Sequence, residues 1–356
     1  MEFVSLSPEE FRAFSNTHPD KSFYQTPEIA TLREKSGWTA SYYGVKKGDE
    51  ILAGSLILGK TANFGFKTFY VPGGPLVDYT DSKLTNYFLT HLCRKLQEEK
   101  GLSLTIDPYY ELIERDRDGL VKQGGFNRKK AVSNLKNLGF KALKEAIQPK
   151  YLFVLDIKGK TADQLLMEFK RNTRNHVRKA EKMGVSVREL SREELDKFKK
   201  ITEATSERRH FTDKPLSYYE EMYDLFHDRG EVMFMIAEAE IEGKTTALSA
   251  AMFMTYGDEV IYLFSGSDEK YMRDYNAQYA IQWHMIKYAA DNGFKRYNFY
   301  GIQGLPDENA KDYGIYEFKK GFTTDETGRV VEFLGTYEKN LSSIYPLIRL
   351  LGKLKH

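Results

Sequence analysis

The same order of predicted elements occurs twice along this chain, and it restricts the fold more than any single motif does. Each half reads as two helices, antiparallel strands, a further helix and a further strand, and the second round begins near Gln148-Pro149. With 356 residues, the chain is longer than one compact core usually holds. The two halves share no visible sequence, so the repetition is structural. We therefore expect two α+β domains in tandem.

Local signals predict where several elements begin and end. Ser7 and Thr26 each precede a proline and an acidic residue, which is typical of a helix start. The pattern of residues 111–123 favours a helix that ends at a pair of glycines, and residues 161–183 read as one long helix. Residues 341–354 read as an apolar and basic helix.

Composition and charge exclude several classes of protein. The net charge is +2, so binding to a polyanion or to a membrane surface requires local patches. Cys93 is the only cysteine, which excludes an internal disulfide and a cysteine-based metal site and favours a buried structural thiol. The N-terminus lacks the pattern of a signal peptide, and no apolar run reaches the length of a membrane span. We expect a cytoplasmic protein.

In the segment 297–302, residues 297–300 read as a buried strand that ends abruptly at Gly301. The helix predicted before this strand stops at Asn292-Gly293, so the order is helix, glycine stop, strand and glycine turn. A strand that ends in glycine lets a substrate approach the backbone closely. Lys319 follows shortly afterwards and can reach a carbonyl or a phosphate at this place.

A dense group of cations occurs within the predicted helix 161–183. Its members recur at spacings that place several of them on one side of the helix, as phosphate binding requires. They are Lys170, Arg171, Arg174, Arg178, Lys179 and Lys182. Few aromatic residues accompany them, which favours contact with phosphates over reading of bases. A solvated amphipathic helix also fits this pattern.

The chain has no motif for covalent, metal or nucleotide chemistry. No serine lies in a Gly-x-Ser-x-Gly elbow, and the histidines have no metal-ligand spacing. A Walker loop and a dinucleotide fingerprint are also absent from the sequence. We expect no cofactor and no metal.

Several segments, taken in order, resemble the Fem peptidyltransferase family, and the resemblance covers nearly the whole chain. They are Phe69-Tyr70-Val71-Pro72-Gly73-Gly74-Pro75, Leu104-Thr105-Ile106-Asp107-Pro108, Arg171 to Ala180, Ser206-Glu207-Arg208-Arg209, Ala280-Ile281-Gln282-Trp283, Tyr297 to Ile302 and Phe318-Lys319-Lys320-Gly321-Phe322. The family is built from two acetyltransferase-like (GNAT) domains, which agrees with the order of elements. It moves amino acids from aminoacyl-tRNA to peptidoglycan precursors. The resemblance therefore implies an aminoacyltransferase that builds interpeptide bridges.

The chain departs from many family members at Glu242-Gly243-Lys244. Members that modify the lipid-linked precursor often carry a long helical hairpin there, whereas this sequence has a short turn. It resembles the armless members that use the soluble precursor UDP-MurNAc-pentapeptide. A chain from which the arm was deleted fits equally well, and the loss of the arm leaves the mode of tRNA binding open.

The resemblance also implies roles for individual residues. It places Phe318 and Lys319 near the acceptor end of the tRNA, where the lysine would polarise the ester carbonyl or neutralise the oxyanion. Asp107 would lie in the precursor groove as a catalytic or orienting carboxylate, although a simple turn-forming Asp-Pro fits as well. The expected contacts to the precursor are Arg33, Lys35, Lys214, Tyr218, Tyr300 and Gly301. The expected contacts to tRNA are Arg171, Arg174, Arg178 and Lys179.

These inferences combine into one hypothesis with two alternatives. We expect a precursor-binding domain at 1–147 with 336–356 and a tRNA-side domain at 148–335, with Arg33, Lys214 and Lys319 in one groove. The partners would be aminoacyl-tRNA, a soluble or lipid-linked precursor, and possible contacts with the inner face of the membrane and with other Fem-type transferases. The alternatives are an acyl-CoA N-acyltransferase, whose pyrophosphate turn is poorly matched here, and a non-catalytic RNA-binding module.

Overall fold

The computed structural model describes residues 1–302, 304–310 and 313–345. The chain divides into two compact units. The first comprises Met1–Glu114, Gln123–Lys150 and the described part of Val331–His356, and the second comprises Arg115–Lys122 and Tyr151–Val330. Among the described residues, no helix is both long enough and apolar enough to span a bilayer.

The first unit is built around one mixed sheet. Its elements, in chain order, are β1 (Glu2–Ser5), α1 (Pro8–Thr17), α2 (Pro27–Glu34), β2 (Thr39–Lys47), β3 (Glu50–Thr61), β4 (Lys67–Gly73), α3 (Ser82–Glu98), β5 (Gly101–Pro108), β6 (Glu111–Asp116), α4 (Lys130–Asn137) and β7 (Lys141–Ala142), and β15 (Tyr337–Asn340) returns to it at the end. The strand order is β1-β2-β3-β4-β5-β15-β7. All pairs are antiparallel except β4 with β5, which are parallel. The predicted caps at Ser7 and Thr26 are both present.

The second unit is built around a longer sheet. Its elements are β8 (Tyr151–Asp156), α5 (Ala162–Glu168), α6 (Arg171–Lys182), β9 (Ser186–Glu189), α7 (Leu195–Arg209), α8 (Leu216–Phe226), β10 (Val232–Ile241), β11 (Lys244–Tyr256), β12 (Glu259–Ser267), α9 (Met272–Tyr275), α10 (Ala277–Asp291), β13 (Arg296–Ile302), α11 (Tyr313–Lys320) and β14 (Gly328–Phe333). The strand order is β6-β14-β8-β13-β12-β11-β10-β9, and the division between the units falls inside β6 and β14.

The parallel pairs of the two units differ in length, and this difference positions the site. In the first unit, β4 and β5 stay paired from Lys67 to Gly73. In the second unit, the pairing of β12 with β13 among the described residues comprises Glu259↔Arg296, Val260↔Tyr297 and Ile261↔Asn298. Beyond Asn298, β13 is paired with β8 at Gly301↔Leu152 and Ile302↔Tyr151.

The connection between β10 and β11 confirms the predicted short turn. Ile241 pairs directly with Lys244, and Glu242 and Gly243 both have positive φ, as in a two-residue type I′ hairpin. No helical arm interrupts the described strands at this place.

Two predicted helices are wrong. Residues 111–123 form strand β6 followed by a turn at Gly119, whose φ of +82° ends any helix there. The predicted helix 161–183 is two helices, α5 and α6, because Phe169 is extended and buries its ring against Trp283 and Phe322. The predicted helix 341–354 lies largely outside the described residues.

Candidate active site

Lys319 lies in the interior of the second unit, near the end of α11. Lys319 is 4% exposed, and its Nζ donates hydrogen bonds to the carbonyl oxygens of Gly301 (2.6 Å) and Tyr300 (3.4 Å). Burial lowers the pKa of the Lys319 ammonium to about 7. An ammonium group has three N–H donors, and two of them have acceptors among the described residues, which leaves a third for a ligand. The structure thus unites three of the predicted site residues, Lys319, Tyr300 and Gly301.

The backbone of β13 is distorted where it meets Lys319. Tyr300 has a φ of +64°, a conformation that aromatic residues rarely adopt. We expected the strand to end at a glycine turn at Gly301, and this is wrong: β13 continues to Ile302, and the residue with positive φ is the preceding Tyr300. Such an outlier marks a place where the surrounding structure enforces strain.

Phe318 connects α11 to the basic helix α6 through Tyr279 of α10. Its ring packs edge-on against Tyr279 of α10 at 4.9 Å, and Tyr279 stacks on His176 of α6 at 4.6 Å. The start of α6 also bonds to the end of α11, because the Lys170 N–H donates to the Gly321 carbonyl at 2.8 Å. The predicted tRNA helix and the predicted catalytic pair are therefore neighbours within the second unit.

The cations of α6 have different environments. Arg171, Arg178 and Lys179 are exposed, and the Nζ of Lys179 donates to the carbonyl of Arg273. Arg174 instead directs its guanidinium at the carbonyls of Met167 and Phe169, at the C-terminal end of α5. Its charge satisfies carbonyl groups that the end of a helix leaves unpaired.

Lys214 and Tyr218, two of the predicted precursor contacts, lie together in the second unit. The Nζ of Lys214 lies 5.6 Å from the centre of the Tyr218 ring, which fits a cation–π contact. Asp213 anchors this loop, because its carboxylate accepts hydrogen bonds from Tyr219, Lys199 and Thr202. Lys214 itself is exposed.

In the first unit, Arg33 is a better candidate than Lys35. The Nε of Arg33 is buried and has no hydrogen-bond partner among the described residues. A buried donor without a partner is unusual in a folded protein, which favours a role for this side chain beyond packing. Lys35 is exposed and lies two positions further on, so the two side chains point in different directions.

Asp107 is buried at the end of β5, where its carboxylate accepts three hydrogen bonds. The donors are the Thr336 hydroxyl (2.9 Å), the Gln148 N–H (3.0 Å) and the Tyr70 hydroxyl (3.3 Å). Burial raises the pKa of Asp107 to about 6, against the opposing effect of these hydrogen bonds. This arrangement ties three segments of the first unit together. It supports a structural role, and the catalytic role stays a prediction.

The sequence interpretation missed a second contact to α11, made by residues 115–122. The hydroxyl of Tyr316 donates to the carbonyl of Arg117 at 2.6 Å, and Lys320 forms an ion pair with Asp118. The signal that identifies this segment as a turn is Asp118-Gly119, which the helical interpretation passed over.

Comparisons with known proteins agree with this architecture. The FemAB family model matches residues 6–246 and 240–353. The aminoacyltransferases FemB of Staphylococcus epidermidis and FemA of Staphylococcus aureus are each 28% identical to the chain, with 100% of this chain and 99% of the relative covered. The crystal structure of FemX has a TM-score of 0.82 at 25% identity and covers 99% of this chain and 100% of its own. A tandem GNAT protein from clavulanic acid biosynthesis, at 11% identity and a TM-score of 0.55, covers 96% and 98% respectively and shows the same fold.

The two ranges matched by the family model overlap at the short turn between β10 and β11. The two matched ranges of the family model meet at residues 240–246, where the described chain has only the β10–β11 turn. The alignment with FemB spans 423 positions, although this chain has 356 residues. With two GNAT-like units and a family match over nearly its whole length, this chain belongs to the FemAB family.

Proposed function

We propose that this aminoacyltransferase moves an amino acid from aminoacyl-tRNA to the stem-peptide amine of a peptidoglycan precursor, a step in building the interpeptide bridge. The full-length matches to FemA and FemB support aminoacyl transfer as the reaction class. They favour it over the acyl-CoA N-acyltransferase and the RNA-binding module. The observation that carries the chemical assignment is the buried ammonium of Lys319 at the distorted end of β13.

The chemistry needs positioning and charge stabilisation rather than a covalent intermediate. The acceptor amine attacks the ester carbonyl, a C–N bond forms, and the carbonyl oxygen becomes an oxyanion. The remaining N–H of Lys319 donates to this oxyanion in a site without bulk water, where such a bond is strongest. The C–O bond to the ribose then breaks, and the proton lost by the amine ends on the ribose oxygen. Phe318 would lie beside the 3′ end of the tRNA.

The acceptor is proposed to be the soluble UDP-linked precursor. The short turn between β10 and β11 resembles the armless type of the family, which supports this choice over a lipid-linked precursor. Arg33 and Lys214 would bind its phosphates, and Tyr218 would line the same groove. Because the two cations belong to different units, their convergence stays a prediction. Both substrates place the reaction in the cytoplasm.

The donor tRNA is proposed to contact α6. Arg171, Arg178 and Lys179 are exposed and close to the elements that hold Phe318 and Lys319. Exposed cations on one helix suit phosphate contacts, which carry affinity without base specificity.

An in vitro transfer assay tests the proposal. It offers tRNAs charged with glycine, alanine, serine or lysine, together with UDP-MurNAc-pentapeptide or lipid-linked precursor, and detects the extended stem peptide by mass spectrometry. We expect transfer to the soluble precursor, and a loss of about 100-fold or more in Lys319→Met. Lys287→Met removes an exposed lysine of α10 and serves as the matched control. Absence of transfer from every tRNA to either acceptor would contradict the proposed function.

A further inference from the structure

The irregular part of β13 is a β-bulge that contains Tyr300. Asn298 is paired with Val154 of β8, and Gly301 is paired with Leu152, so two residues of β13 oppose one residue of β8. Bulges of this kind redirect the backbone next to functional sites. Here the redirected groups are the carbonyls of Tyr300 and Gly301, which accept the hydrogen bonds of Lys319.

One side chain fixes the bulge from inside. Asn298 is fully buried, and its Oδ1 accepts a hydrogen bond from the N–H of Tyr300 at 2.8 Å. This hydrogen bond bridges Phe299 and gives an acceptor to the N–H of Tyr300, which lies in the bulge and outside the regular pairing with β8. The amide therefore acts as a local cap that compensates for the positive φ of Tyr300.

The orientation of the Asn298 amide is fixed in turn by an ion pair. Its Nδ2 donates to Oε2 of Glu259 at 3.0 Å, and the Nε of Arg296 donates to the same oxygen at 3.0 Å. Glu259 is 7% exposed and Asn298 is fully buried. A buried carboxylate that accepts from Nδ2 leaves Oδ1 as the atom that faces Tyr300.

We propose that Asn298 is a positioning residue for Lys319. Asn298 acts by holding the left-handed conformation of Tyr300, and its own amide is oriented by Glu259 and Arg296. The expected effect of Asn298 on kcat rests on the proposed function. Its expected effect on the hydrogen bonds of Lys319 does not. Without the hydrogen bond from Asn298, Tyr300 returns to an ordinary strand conformation. The carbonyl oxygens of Tyr300 and Gly301 then turn away from the Nζ of Lys319. The Lys319 amine then loses the two acceptors that aim its third N–H.

The charged side chains around α11 do not hold the Lys319 ammonium in place of the two carbonyls, because these side chains pair with each other. Lys170 pairs with Glu317, and Lys320 pairs with Asp118 and Glu317. Tyr313 also bonds to Glu317. Among the described residues, no ion pair includes Lys319 itself, so the two carbonyls are the acceptors that hold its ammonium.

A double-mutant cycle distinguishes positioning from simple structural support. Asn298→Ala is expected to lower kcat by about 100-fold, because a displaced catalytic group loses its alignment. Glycine adopts a positive φ without strain, so it does not need the cap. In the Tyr300→Gly background, Asn298→Ala is therefore expected to cost only about threefold. The cycle compares ratios, so any loss caused by Tyr300→Gly alone cancels.

Equal losses in both backgrounds would overturn the proposal. If Asn298→Ala alone fails to fold, the double variant decides, since it is expected to fold and to retain the activity of Tyr300→Gly; an unfolded or inactive double variant overturns the proposal as well. Asn134→Ala is the matched control, because the Asn134 side-chain amide also bonds to the backbone, donating to the carbonyl of Tyr79, but lies in the first unit.

A second measurement does not depend on activity. In protein with ¹⁵N-labelled lysine, the Lys319 signal reports the pKa of its amine directly. We expect Asn298→Ala to lower this pKa by about one unit, because a buried ammonium that loses acceptors is less stable. An unchanged or higher pKa would overturn the proposal. If wild-type protein transfers no amino acid, the proposed function fails while this titration still tests the positioning.

Discussion

At the residue scale, the proposed chemistry depends on the charge of a lysine whose burial destabilises its ammonium form. Lys319 is buried with two carbonyl acceptors and no ion pair among the described residues. A carboxylate partner would hold the ammonium more firmly but would also compete with a developing oxyanion. Two neutral acceptors keep the amine in place and leave a donor for the reaction.

This burial predicts a pH-dependent stability difference between the wild type and Lys319→Met. The folded pKa of about 7 is below the unfolded value of 10.5, so above pH 7 the unfolded chain binds more protons than the folded one. The destabilising effect is complete below about pH 7 and decreases as the pH rises towards the unfolded value. The free energy of unfolding of the wild type relative to the variant should rise by up to about 1.4 kcal/mol per pH unit.

Urea unfolding of both proteins between about pH 6 and about pH 9 measures this difference. Lys287→Met, which removes an exposed lysine, should show no such trend relative to the wild type. A difference that stays flat over this range, or that falls, would contradict a buried amine with a depressed pKa.

At the element scale, the site depends on close contact between α11 and α6. A Cβ added to Gly321 would lie 2.3 Å from the Oγ1 of Thr173, which no real contact allows. Gly321→Ala should therefore destabilise the protein by about 1–3 kcal/mol and lower activity. Thr173→Ala removes the clashing oxygen. The loss of stability in the double variant should therefore be smaller than the sum of the losses in the two single variants.

Gly314→Ala is the matched control, because Gly314 lies inside α11 whereas Gly321 follows its last residue. A Cβ at Gly314 meets none of the described residues within 4 Å, so this change should leave stability unchanged or slightly increased. Thermal unfolding of the variants gives the comparison. If Gly321→Ala behaves like Gly314→Ala, the helices do not make the close contact described here.

Two arginines of α6 should respond differently to substitution. Arg174→Ala removes hydrogen bonds to the end of α5 and should reduce stability by about 1–2 kcal/mol. Arg178 is exposed, so Arg178→Ala should leave stability near that of the wild type. It should instead weaken tRNA binding and reduce the slope of log K against log salt concentration by about one. Filter binding over a salt series and thermal unfolding separate the two effects, and equal behaviour of both variants would contradict the assignment.

At the scale of the whole molecule, two GNAT-like units divide the proposed substrates. Arg33 belongs to the first unit and has a buried Nε without a partner among the described residues. Arg33→Ala should raise KM for UDP-MurNAc-pentapeptide by about tenfold or more and leave KM for aminoacyl-tRNA unchanged. Lys46→Ala, which removes a surface cation of the same unit that pairs with Glu10, is the control. An effect on the tRNA instead would contradict the assigned contact.

The sequence alone determined the features that neighbouring residues decide. The order of elements predicted both units, and the caps at Ser7 and Thr26 were correct because capping involves residues three positions apart. The turn at Glu242-Gly243 was correct because a glycine between two strand patterns is a local signal, and Gly243 adopts a positive φ without strain. The resemblance to the Fem family was confirmed because several motifs in one order are specific even at 28% identity.

Only the tertiary structure decided the features that depend on distant partners. Residues 111–116 became a strand because β14, far along the chain, lies beside them in the sheet. The contacts of Asp107 come from Tyr70, Gln148 and Thr336, which no local pattern connects. The left-handed Tyr300 depends on Asn298 and, through it, on Glu259 of another strand. Backbone preference alone disfavours this conformation, so the packed unit has to supply the hydrogen bonds that hold it.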